Sequence, residues 1–525
     1  MPSNANSTSP GAERSRYFTV RCARSLLRFV FSRRMVWLLF ILTSLVVLVY
    51  QYENWNGARE LAAARQRMLA RAGTDNVMDF LPPEAPEADN FFAIPEIVSW
   101  REPGHPQAAG GFATKFPADK LFPAEFGEPP QILEEPGCYR LDLEGWAKSR
   151  PAGATIPGDQ SAAAALLAAL GDGNGIIPRL AEGLSRASAQ VIPCRRRMME
   201  NSGGDPFRAS IAAASNCFGF QRNLGIHLRA AALAGDARRA TEVAGIMLRL
   251  GDAFAGEPTL VGGLVGLALH GVTLEAMNEV LGGASLDDGQ LLRLQNWLSA
   301  TQDVTAMERT FLTQLVETDA VFRSFKSPRT EQEDRIRSVR DEDQRVRLEI
   351  LWRWGPSGWL DTNRACASDW MLAHCGQAGE EVWRSGADGA NRVAAEVGPA
   401  SIGCQFGSFV IPNPRRLLSC VAIPALSNLW HSSVQNLFLR RCAILTCALH
   451  RHRLAHGTFP DSLAALDAAF LPAPQQDPAR SGAAVNYRRT GQGFLLWSVG
   501  DDRNDDSGDA EKDWIWRHDC GPRTI

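Results

Sequence analysis

The sequence of 525 residues predicts a mainly α-helical protein with one N-terminal transmembrane helix, an α-helical array and a small C-terminal α+β module. Three observations predict this class. Met35 to Tyr50 is an uninterrupted apolar run, residues 158 to about 350 place apolar side chains at helical spacing, and residues 436 to 516 contain a helix stop followed by a hairpin pattern. The predicted units are residues 1–34, 35–51, 52–137, 138–432 and 433–525.

The apolar run has the features of an uncleaved membrane anchor. It is slightly shorter than the ~20 residues that cross a bilayer, but Phe29 to Phe31 and a modest tilt extend it. Residues 1–34 carry seven Arg and one Glu, so the positive-inside rule makes them a cytoplasmic basic tail and places the bulk of the chain across the membrane. A cleaved signal peptide is the alternative, because Ser32-Arg33-Arg34 is similar to a twin-arginine signal, but Gln51 to Trp55 offers no small-x-small cleavage site.

Charge argues against nucleic acid as a partner. The whole chain carries −3 and residues 1–34 carry +6, which leaves −9 for the remainder. A nucleic-acid-binding protein needs a basic face. The sequence therefore predicts no nucleic-acid binding.

Cysteine content leaves the redox state open. Of the 11 Cys, Cys22 precedes the anchor and ten follow it, an even number that permits disulfides in an oxidising compartment. There is no Cys-x-x-Cys pair that would indicate zinc binding or thiol exchange, and buried free thiols are the alternative. The ten are Cys138, Cys194, Cys217, Cys366, Cys375, Cys404, Cys420, Cys442, Cys447 and Cys520.

Two segments connect the anchor to the predicted helical array. Trp55 to Ala72 is rich in Ala and Arg and predicts a juxtamembrane helix. Prolines recur from Leu81 to Gly137, which indicates an extended chain. Its aromatic and aliphatic side chains require burial, so we expect this segment to wrap on the next domain. These side chains are Phe91, Phe92, Ile94, Trp100, Phe112, Phe116, Phe122 and Phe126.

The array itself is predicted from helical periodicity interrupted by short turns that contain Gly or Asp. The lengths suit antiparallel packing of neighbouring helices, and there is no fixed repeat period that would establish a solenoid. The predicted helices are Ser161 to Leu170, Phe218 to Ala234, Asp236 to Phe254, Pro258 to Leu281, Asp287 to Ala300 and Thr305 to Phe325.

The C-terminal residues predict a helix, a turn and a hairpin in that order. Asn436 to His456 has mostly helical spacing, and Gly457 followed by Pro460 is a typical helix stop. Asp461 and Ser462 are candidate caps for a short helix through Leu466, and Asp477-Pro478 marks a further turn. The predicted strands are Val485 to Arg489 and Phe494 to Val499, around the turn Thr490-Gly491-Gln492-Gly493.

This order of elements resembles the C-terminal half of the major pseudopilin of type II secretion. The resemblance covers residues 436 to 516 and rests on Gly457, Phe459 and Pro460, then Asp477 and Pro478, Tyr487, Ser498 and Gly500, and the acidic loop Asp501 to Asp513. It implies a small α+β module with a calcium-binding loop. The family's N-terminal Gly-Phe-Thr-Leu-[IL]-Glu helix is absent, so assembly into a fibre is not implied. The rest of the chain resembles uncharacterised membrane-anchored envelope proteins of bacteria.

The acidic loop is the strongest candidate site. Its carboxylates repel one another unless a cation or basic group offsets them, and calcium accepts six to eight oxygen ligands with flexible geometry. Counted from Asp502, the loop approaches EF-hand spacing, but Ser507 stands at the sixth position, where a true EF-hand has Gly. We therefore favour a pseudopilin-type calcium loop, with a solvated acidic loop as the alternative. The candidate ligands are Asp501, Asp502, Asn504, Asp505, Asp506, Asp509 and Asp513.

Other candidate residues favour structural roles. His452 and His456 are four apart and could share a metal, yet no carboxylate or Cys completes the set, so a solvated basic helix end is favoured. His374 and Cys375 are adjacent, and neighbours on a helix point about 100° apart. His227 and His270 are predicted to be core histidines. The aromatic side chains of Trp352, Trp354 and Trp359 are predicted to belong to the core. The run from Arg329 to Glu349 is predicted to be a water-exposed helix.

The sequence contains no Ser nucleophile elbow, His-Glu-x-x-His helix or Lys-bearing phosphate loop. It predicts a single-pass protein of the bacterial inner membrane, with its bulk in the periplasm and a structural or protein-interaction role in the envelope. A membrane-tethered extracytoplasmic hydrolase, with an active site between the helices and the Pro-rich segment, is the alternative.

Overall fold

The structure is a computed structural model. It describes residues 33–80, 82–98, 128–149, 161–171, 175–191, 207–257, 260–283, 285–300, 304–324, 355–374, 403–406, 409–412, 415–416, 424–480, 482–491, 493–500 and 504–518.

The predicted fold class is confirmed, because the described residues form eleven α-helices and only small sheets. The helices are α1 (Arg33–Ala72), α2 (Leu143–Ser149), α3 (Ala162–Leu170), α4 (Ile176–Gly183), α5 (Phe207–Leu233), α6 (Ala237–Ala255), α7 (Leu260–Gly283), α8 (Asp288–Ala300), α9 (Val304–Ser324), α10 (Ser357–His374) and α11 (Pro424–His456). Short 3-10 turns occur at Val77–Phe80, Glu87–Asp89, Phe91–Ala93 and Leu463–Ala465.

Helix α1 is long and apolar enough to cross a membrane, and its most apolar window is 0% buried. The apolar run and the predicted juxtamembrane helix form this one continuous helix of 40 residues. It continues past Tyr50 because no proline interrupts it, and it ends before Gly73, which has a φ of 76°. Helix α7 is also apolar enough, but 67% of its window is buried, so it belongs to the core.

The second half of α1 packs along α10. A Cβ on Gly57 would lie 2.2 Å from the carbonyl oxygen of Gly358, so the two backbones touch at a pair of glycines. Asn54 Oδ1 accepts from the Gly358 N–H at 2.8 Å, and further along Arg67 donates two hydrogen bonds of 2.9 and 2.8 Å to Asp369. The second half of α1 is therefore part of the folded body.

One hydrophobic core joins most of the described elements. It contains buried residues of α4 to α8, α11 and the C-terminal strands. The boundary that the sequence suggested between residues 432 and 433 falls inside α11, which begins at Pro424. Helices α6 to α9 match their predicted bounds within two residues, whereas α5 begins at Phe207 instead of Phe218. A buried ion pair between Arg229 of α5 and Glu279 of α7 lies within the helical array, with Nε and Oε2 2.9 Å apart.

The described part of the Pro-rich segment packs on the helical array. Phe91, Phe92 and Ile94 are buried in the core, and the side chain of Asn90 accepts from Phe92 N and Gln190 N. Burial of these apolar side chains provides the driving force for the packing. The remaining aromatic residues of the segment, Trp100, Phe112, Phe116, Phe122 and Phe126, lie outside the described residues.

The strands form two hairpins and one three-stranded antiparallel sheet. The strands are β1 (Ile132–Glu135), β2 (Cys138–Leu141), β3 (Gly403–Phe406), β4 (Phe409–Pro412), β5 (Asn486–Thr490), β6 (Gly493–Ser498) and β7 (Trp514–Arg517), and the sheet order is β5-β6-β7. The predicted β5–β6 hairpin is present with Tyr487 opposite Leu496, and β6 is buried throughout. Strand β7 and the hairpins β1–β2 and β3–β4 were not predicted, because four-residue strands give too short an alternation to recognise.

Candidate functional site

The acidic loop connects β6 to β7, and its two ends lie against each other. A Cβ on Gly500 would be 1.7 Å from the carbonyl oxygen of Lys512, so a larger residue would force the ends apart. Asp501 and Asp502 lie outside the described residues. The structure places the other candidate ligands, Asn504, Asp505, Asp506, Asp509 and Asp513.

Asp505 anchors the loop to the sheet. Its Oδ1 accepts from Trp497 Nε1 at 2.9 Å and from Ser507 N at 3.0 Å, and its Oδ2 accepts from Asn486 Nδ2 at 3.1 Å. The hydrogen bond from Trp497 is the largest cause that lowers the pKa of the Asp505 carboxyl, because these donors favour its charged form. The carboxylate is thus held by protein donors on both oxygens.

Asp513 stabilises the loop from its buried side. Its side chain is buried and accepts from Gly508 N at 2.7 Å and from Asp506 N at 3.3 Å. The backbone can present these N–H groups because Ser507 and Gly508 both have positive φ, 61° and 82°. Ser507 therefore adopts the left-handed conformation that usually favours Gly.

Asp506 and Asp509 have different surroundings. Asp506 Oδ1 lies 3.1 Å from Lys512 Nζ, whereas its Oδ2 is buried and has no hydrogen-bond partner. Asp509 is exposed and accepts from Glu511 N at 3.0 Å, so its carboxylate shapes the following turn. Within the described part of the loop, Asp506 Oδ2 is the carboxylate oxygen that is buried without a donor.

The fit to calcium depends on that oxygen. A buried carboxylate oxygen without a donor is costly, and a cation would offset the cost. Among the described residues, Asp506 would supply this ligand. Among the residues that the structure describes, no group of three or more His, Cys, Asp or Glu is placed to hold a metal ion.

Arg480 links the Asp-Pro turn to the acidic loop. Its Nε donates to Asp477 Oδ2 at 2.9 Å, one terminal nitrogen donates to Asn486 Oδ1 at 2.9 Å, and the other lies 3.4 Å from Asp505 Oδ2. Buried Asp477 also accepts from Ser498 Oγ at 2.6 Å. Sequence reasoning missed Arg480, and the available signal was a lone Arg three residues after an Asp-Pro turn.

Tyr487, Pro460, Phe459 and Gly457 also carry the pseudopilin resemblance. The hydroxyl of Tyr487 donates to the carbonyl of Pro460 at 2.6 Å, and burial raises the pKa of Tyr487 to about 12. The ring of Phe459 packs edge-on against Phe494 with centroids 5.0 Å apart. Gly457 ends α11 with a φ of 81°, as the helix-stop pattern predicts.

Four of the described histidines form two pairs. His452 and His456 stack with ring centroids 4.4 Å apart, and His452 Nδ1 lies 3.1 Å from the Thr458 carbonyl oxygen. His450 and His518 form a second pair that the sequence did not reveal, with Nε2 atoms 3.1 Å apart. Both are buried in a cluster with Phe459 and Phe494.

The other histidine and tryptophan residues that the sequence analysis considered have different environments. His270 is buried with its Nε2 3.3 Å from Asp252 Oδ1, and His227 is buried near Arg239. Trp359 is partly buried and donates to Glu53 Oε2 at 3.1 Å. Trp352, Trp354, Cys375 and the run Arg329 to Glu349 lie outside the described residues.

The described residues line clefts on the surface, two of which have volumes of several hundred Å³. One of about 500 Å³ lies between the β1–β2 hairpin, α11 and the acidic loop, and its lining includes Tyr139, Phe438, Glu511, Lys512 and Trp514. The other, of about 650 Å³, is lined by Ile177, Pro178, Ala181, Glu182, Leu184, Asp236, Arg238, Arg239, Glu242, Arg293 and Trp297. The second lining combines the carboxylates of Glu182, Asp236 and Glu242 with the guanidinium groups of Arg238, Arg239 and Arg293.

The first cleft combines aromatic side chains with both signs of charge, a lining that suits a protein or small-molecule contact.

Comparison of the chain with protein-family models, curated proteins and solved structures finds no significant match.

Proposed function

We propose that this protein is a single-pass protein of the bacterial inner membrane, whose body lies in the periplasm and has a structural or protein-interaction role in the envelope. One observation carries the proposal: α1 has an exposed apolar first half and a second half that packs into the folded body. Exposed apolar surface of this extent needs a lipid or protein environment.

The dimensions of α1 suit a bilayer. From Trp37 to Trp55 the helix rises about 27 Å at 1.5 Å per residue, close to the ~30 Å of a hydrocarbon core. Trp37 lies near one end, and exposed Tyr50, Tyr52 and Trp55 lie at the other, where aromatic belts form. The guanidinium of Arg59 lies 5.0 Å from the centroid of the Trp55 ring, one turn further from the apolar run.

The close contact between α1 and α10 supports a structural role. The glycine pair Gly57 and Gly358 and the ion pair between Arg67 and Asp369 secure the body to the helix that leaves the membrane. The body would then stand at a set height above the bilayer. The cleft between the β1–β2 hairpin, α11 and the acidic loop is the binding surface that we assign to the interaction role.

Cys138 supports a location in an oxidising compartment, because it is disulfide-bonded.

We further propose that the acidic loop binds a structural calcium ion. Its support is the buried, donor-free Oδ2 of Asp506 and the resemblance to a family whose equivalent loop binds this ion. Calcium would stabilise the module and take no part in chemistry.

Protease accessibility tests the proposed topology. Protease added to intact spheroplasts should digest the body, and an epitope tag at the N-terminus should remain protected in the membrane fraction. A chain that begins at Asn54 and lacks the apolar half of α1 serves as the control and should leave the membrane fraction. A body that is protected in intact spheroplasts and digested only after lysis would refute the orientation, and loss of the tag by cleavage would refute the retained anchor.

A further inference from the structure

The cleft of about 650 Å³ is a groove along α6. Helices α4 and α8 both pack on α6, so they form the walls of the groove and α6 forms its floor. A Cβ on Gly245 would lie 2.7 Å from Cζ3 of Trp297 and 3.0 Å from Cδ1 of Leu184, so side chains from the two walls approach each other over this glycine. The groove therefore ends at Gly245 and runs from there toward Asp236, at the start of α6.

The dimensions of the groove exclude an α-helix as its occupant. From Asp236 to Gly245 the chain rises about 13 Å at 1.5 Å per residue. A volume of about 650 Å³ over this length leaves a mean cross-section of roughly 50 Å². An α-helix with its side chains is about 10–12 Å across and needs roughly 80–110 Å². The groove therefore suits a narrow, extended ligand.

The polar lining of the groove has balanced charge. Its three carboxylates and three guanidinium groups cancel, which favours a neutral ligand. Arg238 and Glu242, one turn apart on the floor, form an ion pair with Nη1 and Oε1 3.0 Å apart. Glu182 on the α4 wall and Arg293 on the α8 wall are exposed, and neither side chain forms a hydrogen bond or an ion pair within the part of the chain that the structure describes. A ligand between the walls thus meets a free acceptor and a free donor.

Apolar surface accompanies these polar groups. Trp297 lines the α8 wall and is partly buried, and an aromatic ring in this position offers an apolar face for stacking. Ile177, Pro178 and Ala181 line the α4 wall. Aliphatic side chains of this size suit a small apolar substituent such as a methyl group.

Helical walls favour a saccharide over an extended peptide. An extended peptide carries an N–H and a C=O at every residue, and an exposed strand edge is the element that pairs with both. The helices around the groove use their backbone groups internally, so the groove offers only side chains. A sugar hydroxyl both donates and accepts, and a carboxylate beside a guanidinium supplies both partners. The apolar face of a sugar ring stacks on an aromatic side chain such as Trp297.

We propose that this groove binds a neutral oligosaccharide that carries N-acetyl groups. A sugar ring stacks on Trp297, its hydroxyls donate to Glu182 and accept from Arg293, and an acetamido methyl group contacts the aliphatic side chains of α4. The groove shares no lining residue with the cleft beside the acidic loop. It therefore adds a glycan ligand to the proposed interaction role and requires neither that cleft nor calcium.

Calorimetric titration of the full-length protein tests the site, in a detergent without a sugar headgroup. The probe is the β-1,4-linked trimer of N-acetylglucosamine, which the wild type should bind with a dissociation constant in the millimolar range or below. Glu182→Ala and Arg293→Ala should each weaken binding about tenfold, because each removes one charge-assisted hydrogen bond. Trp297→Ala should abolish binding, whereas Trp297→Phe keeps an aromatic ring and should retain it.

Glu511→Gln, in the other cleft, is the matched control and should bind the trimer as the wild type does. The β-1,4-linked glucose trimer lacks the acetamido groups and should bind more weakly. If Trp297→Ala does not fold, the two variants at exposed positions decide the outcome.

Three results would overturn the proposal. They are no binding of the N-acetylglucosamine trimer by the wild type at millimolar concentration, wild-type affinity in both Glu182→Ala and Arg293→Ala, and equal affinity for the two trimers. A blocked alanine tripeptide that binds as tightly as the N-acetylglucosamine trimer would assign the groove to peptides instead. None of these results changes the proposed membrane topology, which the protease experiment tests separately.

Discussion

His450 and His518 meet through their Nε2 atoms, 3.1 Å apart, inside a cluster of aromatic rings. One imidazole must donate and the other accept, so the contact requires a neutral acceptor. Burial, followed by the charges of His518 and Arg453, lowers the pKa of His450 to about 3. The pair links α11 to the residue that follows β7.

This pair predicts a specific loss of stability in acid. The pKa of His450 lies below its unfolded value of about 6.5, so its contribution is fully present above that pH and is lost as the pH falls from there toward 3. The slope of the unfolding free energy approaches about 1.4 kcal/mol per pH unit between these limits. His450→Phe keeps the packing and removes the titration, so its unfolding free energy should fall less steeply in this window.

Denaturant unfolding between pH 7 and pH 4 measures the two slopes. Identical slopes for wild type and His450→Phe would show that the buried pair does not titrate on unfolding.

Trp497 should stabilise the module by packing and by its hydrogen bond to Asp505. Trp497 is 9% exposed, so Trp497→Ala should cost about 3–5 kcal/mol. Trp497→Phe keeps most of the apolar contact but loses the Nε1 donor, and should cost roughly 1–2 kcal/mol. Chemical unfolding of the two variants measures both values, and a loss below about 1 kcal/mol for Trp497→Ala would contradict the burial.

Gly57 should be essential for the contact between α1 and α10. A Cβ there would lie 2.2 Å from Gly358 O, so Gly57→Ala forces the helices apart and should cost about 1–3 kcal/mol. Gly219, also helical, has open space around its Cβ position, so Gly219→Ala should stabilise the protein by roughly 0.5–1 kcal/mol. Melting temperatures of the detergent-solubilised variants should move in opposite directions, and equal shifts would contradict the close contact.

Calcium should raise the melting temperature of the full-length protein. If the ion binds only the folded state, a concentration one hundred times its dissociation constant adds about 2.7 kcal/mol. Asp506→Ala should abolish the shift because it removes the buried donor-free oxygen. Asp513→Ala should lower the melting temperature even with chelator present, because Asp513 holds two backbone N–H groups.

Glu511→Gln is the matched control for the calcium experiment, because Glu511 is exposed in the same loop and is not a candidate ligand. It should keep the full calcium shift. Equal melting temperatures of the wild type with calcium and with chelator would leave a solvated acidic loop that its own donors stabilise.

The sequence by itself determined the features that depend on local pattern. Hydrophobic periodicity and turn residues predicted α6 to α9 within two residues, Gly457 predicted the end of α11, and the apolar run predicted the exposed half of α1. These features follow from side-chain spacing and backbone preference within a few turns of chain, which a single sequence contains. The order of turn, hairpin and acidic loop was readable for the same reason.

The tertiary structure decided what depends on residues far apart in the chain. Arg480 meets Asp505, His450 meets His518, and Gly57 meets Gly358 only because the core brings their elements together. Strand β7 is recognisable by its pairing with β6, since four residues carry too little alternation of their own. The backbone around Ser507 and side chains of the neighbouring sheet likewise decide which carboxylates of the acidic loop accept hydrogen bonds from the protein. They also decide which carboxylate oxygen remains without a donor.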